Sequence, residues 1–461
     1  MSPLNAPGFL SKCPGLVNIV SARDGGLCRI RLPGGTLSAD HADALAAAAA
    51  QYASGPIDIT NRANLQVRGI RSGCEAAFSL ALIQSGLGPG GNDALNLATA
   101  SSQDEVRNVM ISPTAGRDPA ALIDTRPIAQ SLIAMLMTEP RFTQLSPKFA
   151  LLLDGGESLA MLTHPHDIWL AAVPAGAAGI YPKDEVQFAF GLAGCPSPLN
   201  EPASTATAAL GLAPASQITT LVRALLHTFL DLAQPGDKRM RDLLVTHTPD
   251  QVLQQAQTYL DVALKPAPNW QRAATDDQLR FGAHQQRDAK LWWIGAQPPV
   301  GRLDAATLRR LAQLARHVSA SATLQMTPWQ GVLIPDVAQH DVPHTIATLT
   351  QLGFFCTGQE PLAHIVACAG STGCARSASD TKADAYTLAQ HLRAGYDVHL
   401  SGCSRSCAAA SPAPYTLLAV AADRYDLYQR SGPDGFGIRI AQRLSVEQAA
   451  CKIARPAWSS S

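Results

Sequence analysis

Four cysteines carry the most specific chemistry in this sequence. Cys368 and Cys374 are separated by five residues, and Cys403 and Cys407 by three. Thiolates are soft donors that suit iron–sulfur clusters or zinc. Zinc sites usually space their cysteines by two to four residues, so the five-residue gap points to a cluster. The flanking runs ACAGSTGCA and SGCSRSCAAA hold almost nothing bulky. Small residues let backbone N–H groups approach cluster sulfurs. The expected group is a [4Fe–4S] cluster, with Cys368, Cys374, Cys403 and Cys407 as its metal ligands. The other cysteines, Cys13, Cys28, Cys74, Cys195, Cys356 and Cys451, are scattered.

Histidines add less. His164-Pro165-His166-Asp167 has the composition of a ligand cluster, but the proline splits it and a strand follows. It reads as a loop entering a strand. His364 and His399 flank the cysteine pairs, as donors to cluster sulfurs or as buried polar residues.

The elements that must position these groups are repeated. The segment Leu27 to Ile70 and the segment Trp293 to Val337 share one order: strand, Pro/Gly turn, capped helix, strand ending in threonine, second strand. The caps are Ser38 and Asp304, and the threonines are Thr60 and Thr327. Each copy is followed by a larger segment of mixed helices and strands, which gives an α+β class. In the first, Phe149 to Leu153, Ile168 to Val173 and Val186 to Leu192 read as strands, and Ala215 to Leu232 as a helix. In the second, Asp380 to Ala394 reads as a helix, and the strand Asp397 to Leu400 runs into the second cysteine pair. The expected division is 1–95, 96–236, a connector at 237–290, then 291–345 and 346–455. Within the connector, Thr248 to Leu264 reads as a helix. The tail Ala457 to Ser461 reads as disordered.

Bulk properties bound the function. The chain has 461 residues, 36 basic and 36 acidic, with 46% apolar residues. That balance argues against a nucleic-acid or membrane-surface partner. No apolar run approaches a bilayer's width and no targeting signal is evident, so the expected location is cytoplasmic. Gly86 to Gly91 lacks the spacing of a dinucleotide loop and reads as a turn.

The two cysteine pairs, closing a chain of two half-repeats, resemble the sirohaem nitrite/sulfite reductase superfamily. That resemblance implies a pseudo-twofold nitrite/sulfite reductase-like fold with two ferredoxin-like half-domains and two larger α+β domains. It implies that Cys407 faces a tetrapyrrole. Such a ligand carries many carboxylates, which arginine pairs with well. Matching motifs are DITNRANLQVRGI with Arg62 and Arg68, DEVRNVMISPTAGRD with Arg107, and LSPKFALLLDGG with Lys148. By this resemblance Arg62, Arg107 and Lys148 are catalytic, and with Arg68 they bind substrate. Arg31 and Arg117 are read as solvated. The superfamily's second lysine is replaced by Ala150, which weakens the cationic cage a small oxyanion needs.

Within the superfamily, KCPGLVNIVSARDGGLCRIRLPGG, TNRANLQVRG and HLSGCSRSCA resemble the precorrin-3B synthases. In that group the tetrapyrrole is substrate. Precorrin-3A is oxidised by dioxygen at C20 and closes a γ-lactone in aerobic cobalamin biosynthesis. The resemblance implies the cluster, a mononuclear non-haem iron, and NADH as ultimate reductant through an electron-donor protein or reductase. Sirohaem belongs to the alternative, a nitrite or sulfite reductase.

Overall fold

The computed structural model describes residues 13–89, 97–174, 185–199, 208–261, 264–267, 270–410, 413–432 and 435–454. In strands Gly25–Ile30 and Leu65–Ile70, the residues Cys28, Ile30, Leu65 and Val67 are buried in the core. Side chains alternate along a strand, so Arg29, Gln66 and Arg68 take the opposite face. One face of this sheet is thus a core wall and the other a charged wall.

The sheet runs Val20–Ala22, Gly25–Ile30, Leu65–Ile70, Ile57–Ile59, Arg302–Leu303, antiparallel throughout. Its last strand comes from the second repeat. The second sheet runs Gly282–Gln285, Leu291–Ala296, Val332–Ala338, Thr323–Met326, Thr36–Ser38, and its last strand comes from the first repeat. The repeats therefore exchange edge strands, a feature the β-α-β reading does not contain. Helices Ala39–Tyr52 and Ala305–Val318 pack on each other. Their N-caps are as expected: Ser38 Oγ accepts from the His41 N–H at 3.1 Å and Asp304 Oδ1 from the Thr307 N–H at 2.7 Å.

The turn after each threonine is the same structure twice. Thr60 Oγ1 accepts from the Asn64 N–H at 3.1 Å, and Thr327 Oγ1 from the Gly331 N–H at 3.0 Å. Ala63 at φ 55° and Gln330 at φ 64° occupy equivalent left-handed positions. Arg62 of one turn corresponds to Trp329 of the other.

The two larger domains repeat as well. One sheet orders Val109–Ile111, Leu151–Asp154, His166–Val173, Gln187–Gly194 and Gly211–Pro214. The other orders Ile365–Ala367, Val398–Ser401, Tyr415–Ala421, Arg424–Gln429 and Ile438–Leu444. In both, the first three strands are parallel and the last two antiparallel. Helices Arg126–Thr138 and Thr381–His391 follow the first strands, and Ile218–Leu232 and Val446–Ala454 the last. This is a pseudo-twofold nitrite/sulfite reductase-like fold.

The connector is more integrated than its polar composition suggests. Gly282–Gln285 pairs into the second half-domain sheet. The expected helix is shorter, Pro249–Gln257, behind a capping box formed by Thr248 and Gln251. Arg272 is buried in the first α+β domain, where Nε donates to Asp154 Oδ2 at 2.6 Å and Nη2 to Oδ1 at 3.0 Å. Arg31 and Arg117 are corrected. Arg31 is buried against Asp104 at 2.9 Å, and Arg117 forms a two-bond pair with Asp336 at 2.9 and 2.8 Å. Their partners lie 73 and 219 residues away, beyond the reach of local pattern. Residues 457–461 and 90–91 lie outside the described residues.

Breaking a buried ion pair leaves an uncompensated charge and costs about 3–5 kcal/mol. Arg272→Met is therefore expected to lower the unfolding free energy measured in urea by that order, with the connector still attached.

Candidate active site

The cysteines emerge from strand ends, where a sheet's ladder stops and loops can turn inward. Cys368 follows Ile365–Ala367, and Cys403 follows Val398–Ser401. Those strands are parallel neighbours, so their C-terminal loops stand side by side. The Gly402 N–H donates to Cys368 Sγ at 3.2 Å, and Thr381 Oγ1 lies 3.4 Å from the same sulfur. Partial burial, then the proximity of Cys403, Cys368 and Cys374, raises the pKa of the Cys407 thiol, while the residue as a whole stays exposed. None of the four is in a disulfide. Among the described residues, no three His, Cys, Asp or Glu side chains gather round one ion position. Four thiolates on four irons need no common centre, unlike zinc ligands. The donor set and the N–H on sulfur fit a [4Fe–4S] cluster.

The arginine face meets this loop. Arg68 is buried, paired with Asp24 at 2.7 Å, and donates to the Gly373 carbonyl at 2.5 Å. It thereby holds the Cys368–Cys374 loop and stands apart from the pocket that Arg62 lines. Arg62 Nη1 reaches the Lys148 carbonyl at 3.5 Å. Burial, then Arg239 and Arg29, pulls its pKa down to about 10, so it stays charged at neutral pH.

Arg62 and Arg107 line one small pocket with Leu32, Asn64, Ala150 and His166. Arg107 Nη2 is tied to Asp104 Oδ1 at 2.6 Å, and its buried Nε has no partner among the described residues. Lys148 is exposed and does not line this pocket. Behind it, Asp167 accepts from the Ala150 N–H at 2.8 Å and from Arg239 Nε at 2.9 Å.

His166, which the sequence presents as part of a loop entering a strand, lines the pocket. It begins strand His166–Val173, in agreement with the loop-into-strand reading. It is 2% exposed, its Nδ1 has no partner among the described residues, and it stands 5.1 Å from the ring of His164, centroid to centroid. Burial, then Arg62 and Arg239, pulls His164 down to about 3. Burial, then His164 and Arg62, pulls His166 well below the usual range. Both are neutral, and the nearby arginines oppose a cation there. The signal in the sequence was the His164-Pro165-His166-Asp167 run itself.

His364 does not serve the cysteines. Its Nδ1 meets Asp397 at 2.9 Å and its Nε2 the Gly358 carbonyl at 2.9 Å. His399 is buried with Nε2 unpartnered, and burial pulls its pKa down to about 4. Among the described residues no helix is long and apolar enough to cross a membrane.

Comparison with known proteins agrees with this geometry. The nitrite/sulfite reductase ferredoxin-like half domain matches residues 21–73 and 284–352, the two exchanged half-domains. The nitrite and sulphite reductase 4Fe-4S domain matches residues 102–264. The chain belongs to the nitrite and sulfite reductase superfamily. The second match covers the α+β copy without the cysteine pairs. Its pseudo-symmetric partner, with the same strand order, carries them. The ferredoxin–nitrite reductase of Synechococcus elongatus is 29% identical, over 83% of this chain and 73% of the relative. The chloroplastic ferredoxin–nitrite reductase of Arabidopsis thaliana is 28% identical, over 83% of this chain and 65% of the relative. A precorrin-3B synthase of Sinorhizobium sp is 28% identical, over 92% of this chain and 82% of the relative. The Mycobacterium tuberculosis NirA protein shares the fold, with TM-score 0.74 over 93% of this chain and 79% of that one, at 19% identity. The chain thus spans about two thirds to three quarters of the nitrite reductases it matches.

Two outcomes follow for this superfamily member. Cys403→Ala should lose cluster iron and the brown absorption, read by iron analysis of protein purified without air. His399 titrates near 4 when folded and near 6.5 when unfolded. Below pH 6.5 the unfolded chain gains a proton the folded chain refuses, so stability falls toward pH 4. His399→Gln should flatten that fall, by up to ~1.4 kcal/mol per pH unit, in urea melts at pH 7.5 and 5.5.

Proposed function

We propose that this chain is a precorrin-3B synthase, oxidising precorrin-3A with dioxygen. The observation that carries the reading is the pocket wall at Ala150 and His166. A cage built for a small oxyanion wants concentrated positive charge. Here one cationic position is alanine and the adjacent ring is neutral. Two arginines remain, which suits a carboxylate side chain of a large macrocycle. The similarity to a precorrin-3B synthase over 92% of this chain supports the same reading.

On this reading Arg62 and Arg107 bind a substrate carboxylate, and His166 adds a hydrogen bond without charge. Lys148, from its exposed position, screens the pocket mouth. The four cysteines hold the cluster, and Arg68 fixes their loop against the sheet. When bound, the cluster supplies single electrons to the oxidation. One oxygen atom enters the macrocycle as the C20 hydroxyl, and an acetate side chain closes the lactone. The other leaves as water, with two electrons that originate in NADH and arrive through a donor protein. The mononuclear iron of the synthases has no assigned ligands in this reading.

A second reading has its own support. Most of the relatives named as enzymes above are ferredoxin–nitrite reductases, and on that reading a sirohaem would stand where the synthase binds its substrate. A visible spectrum of the purified protein separates the two. Broad brown absorption, with precorrin-3A converted under air and reductant to a product with one added oxygen, supports the synthase. Strong sirohaem bands together with nitrite consumption would overturn it.

A further inference from the structure

Lysine is seldom fully buried unless paired. Lys382 is 7% exposed, in the first turn of helix Thr381–His391. Its Nζ donates to the Val300 carbonyl at 2.6 Å and lies 3.8 Å from Asp58 Oδ1. Asp58 also accepts from Arg302 Nε at 2.7 Å and Nη2 at 3.2 Å. The preceding residue, Thr381, is fully buried, donates to the Cys368 carbonyl at 2.9 Å and lies 3.4 Å from Cys368 Sγ. The buried ammonium thus belongs to the residue that follows the one meeting the Cys368 sulfur. Burial lowers the lysine's pKa, and Arg302 and Arg68 act in the same sense, while Asp58 and Cys368 act to keep it charged. Arg68, which donates to the Gly373 carbonyl of the same loop, is itself offset by Asp24.

We propose that the Lys382–Asp58 pair sets the reduction potential of the cluster held by Cys368. This rests on the cluster assignment above. A reduced cluster carries one more negative charge than an oxidised one. A fixed cation close by in a poorly solvated site stabilises the reduced form, and a fixed anion destabilises it. The pair spans three parts of the molecule. Lys382 belongs to the second α+β domain, Asp58 to the first repeat's strand, and Arg302 to the exchanged strand beside it, in register with Asp58. The electron affinity of the cluster therefore depends on how the half-domains are joined. Thr381 and Lys382 are positioning residues, since neither ligates iron.

The test is a mediator titration with dithionite of anaerobically purified full-length protein, followed by electron paramagnetic resonance. Lys382→Met should lower the midpoint by about tenfold in the one-electron equilibrium, which is about 59 mV. Lys382→Arg keeps the charge and should stay within about threefold of the wild type. Asp58→Asn, made in the Lys382→Arg background where the cation cannot lose its proton, should raise the midpoint relative to that background. A merely structural role would not give shifts of opposite sign. Shifts of one sign, or of less than threefold, with cluster content intact would overturn the proposal. Loss of the cluster from every variant would also overturn it, because the charges would then serve assembly. Wild-type protein with neither iron nor a cluster signal would instead sink the cluster assignment itself.

Discussion

The two halves of this protein cannot be pulled apart without opening both sheets. Each half-domain sheet closes on a strand supplied by the other repeat, Arg302–Leu303 on one and Thr36–Ser38 on the other. An unpaired edge is a row of unsatisfied backbone groups, so each repeat is incomplete alone. The shared core of helices Ala39–Tyr52 and Ala305–Val318 follows from that exchange. So does the position of the active site. Once the halves are locked, the cysteine loops of the last domain meet the charged face of the first sheet, and Arg68 closes the contact through Gly373.

The duplication leaves two equivalent places, and the chain treats them differently. After strand Ile365–Ala367 come Cys368 and Cys374. After Val109–Ile111, at the same offsets, come Ser112 and Asp118. Those two are buried and internally satisfied: Ser112 Oγ donates to the Leu159 carbonyl at 2.6 Å, and Asp118 accepts from the Ser158 N–H at 2.9 Å. Nearby, Glu157 is driven well above the usual carboxyl range by burial and then by Asp154. Above this network the second half-domain presents Trp293, Leu333 and Trp329, packed with Leu159 and Leu279. The first presents Arg29, Gln66, Arg68 and Arg62. One copy is a charged face meeting thiols, and the other an aromatic joint beside an open cavity lined by Asp118, Ser158 and Trp293.

Much of this was legible in the sequence, because it is local. The cysteine spacing, the Ser38 and Asp304 caps, and the repeated Thr60 and Thr327 turns all depend on residues a few positions apart. The strand exchange was not legible, since Arg302–Leu303 and Thr36–Ser38 are too short to announce a partner. Arg31 and Arg117 looked like surface residues because their acids are distant in sequence. His166 was named in the sequence, but its place in the pocket beside Ala150, just before the neighbouring strand, is set by the sheet. Lys148 was read from its motif, which fixes the strand but not the direction of the side chain.

The exchanged strand also has a consequence for synthesis on the ribosome. Strand Ile57–Ile59 emerges about 240 residues before Arg302, its edge partner. At roughly 5–20 residues per second, that edge stays open for roughly 10–50 s. Ile57 and Ile59, fully buried in the finished molecule, spend this interval beside an unpaired backbone. The nascent N-terminal half is therefore a natural client for a chaperone, and crowded polysomes are where this protein is most prone to pair with the wrong copy of itself.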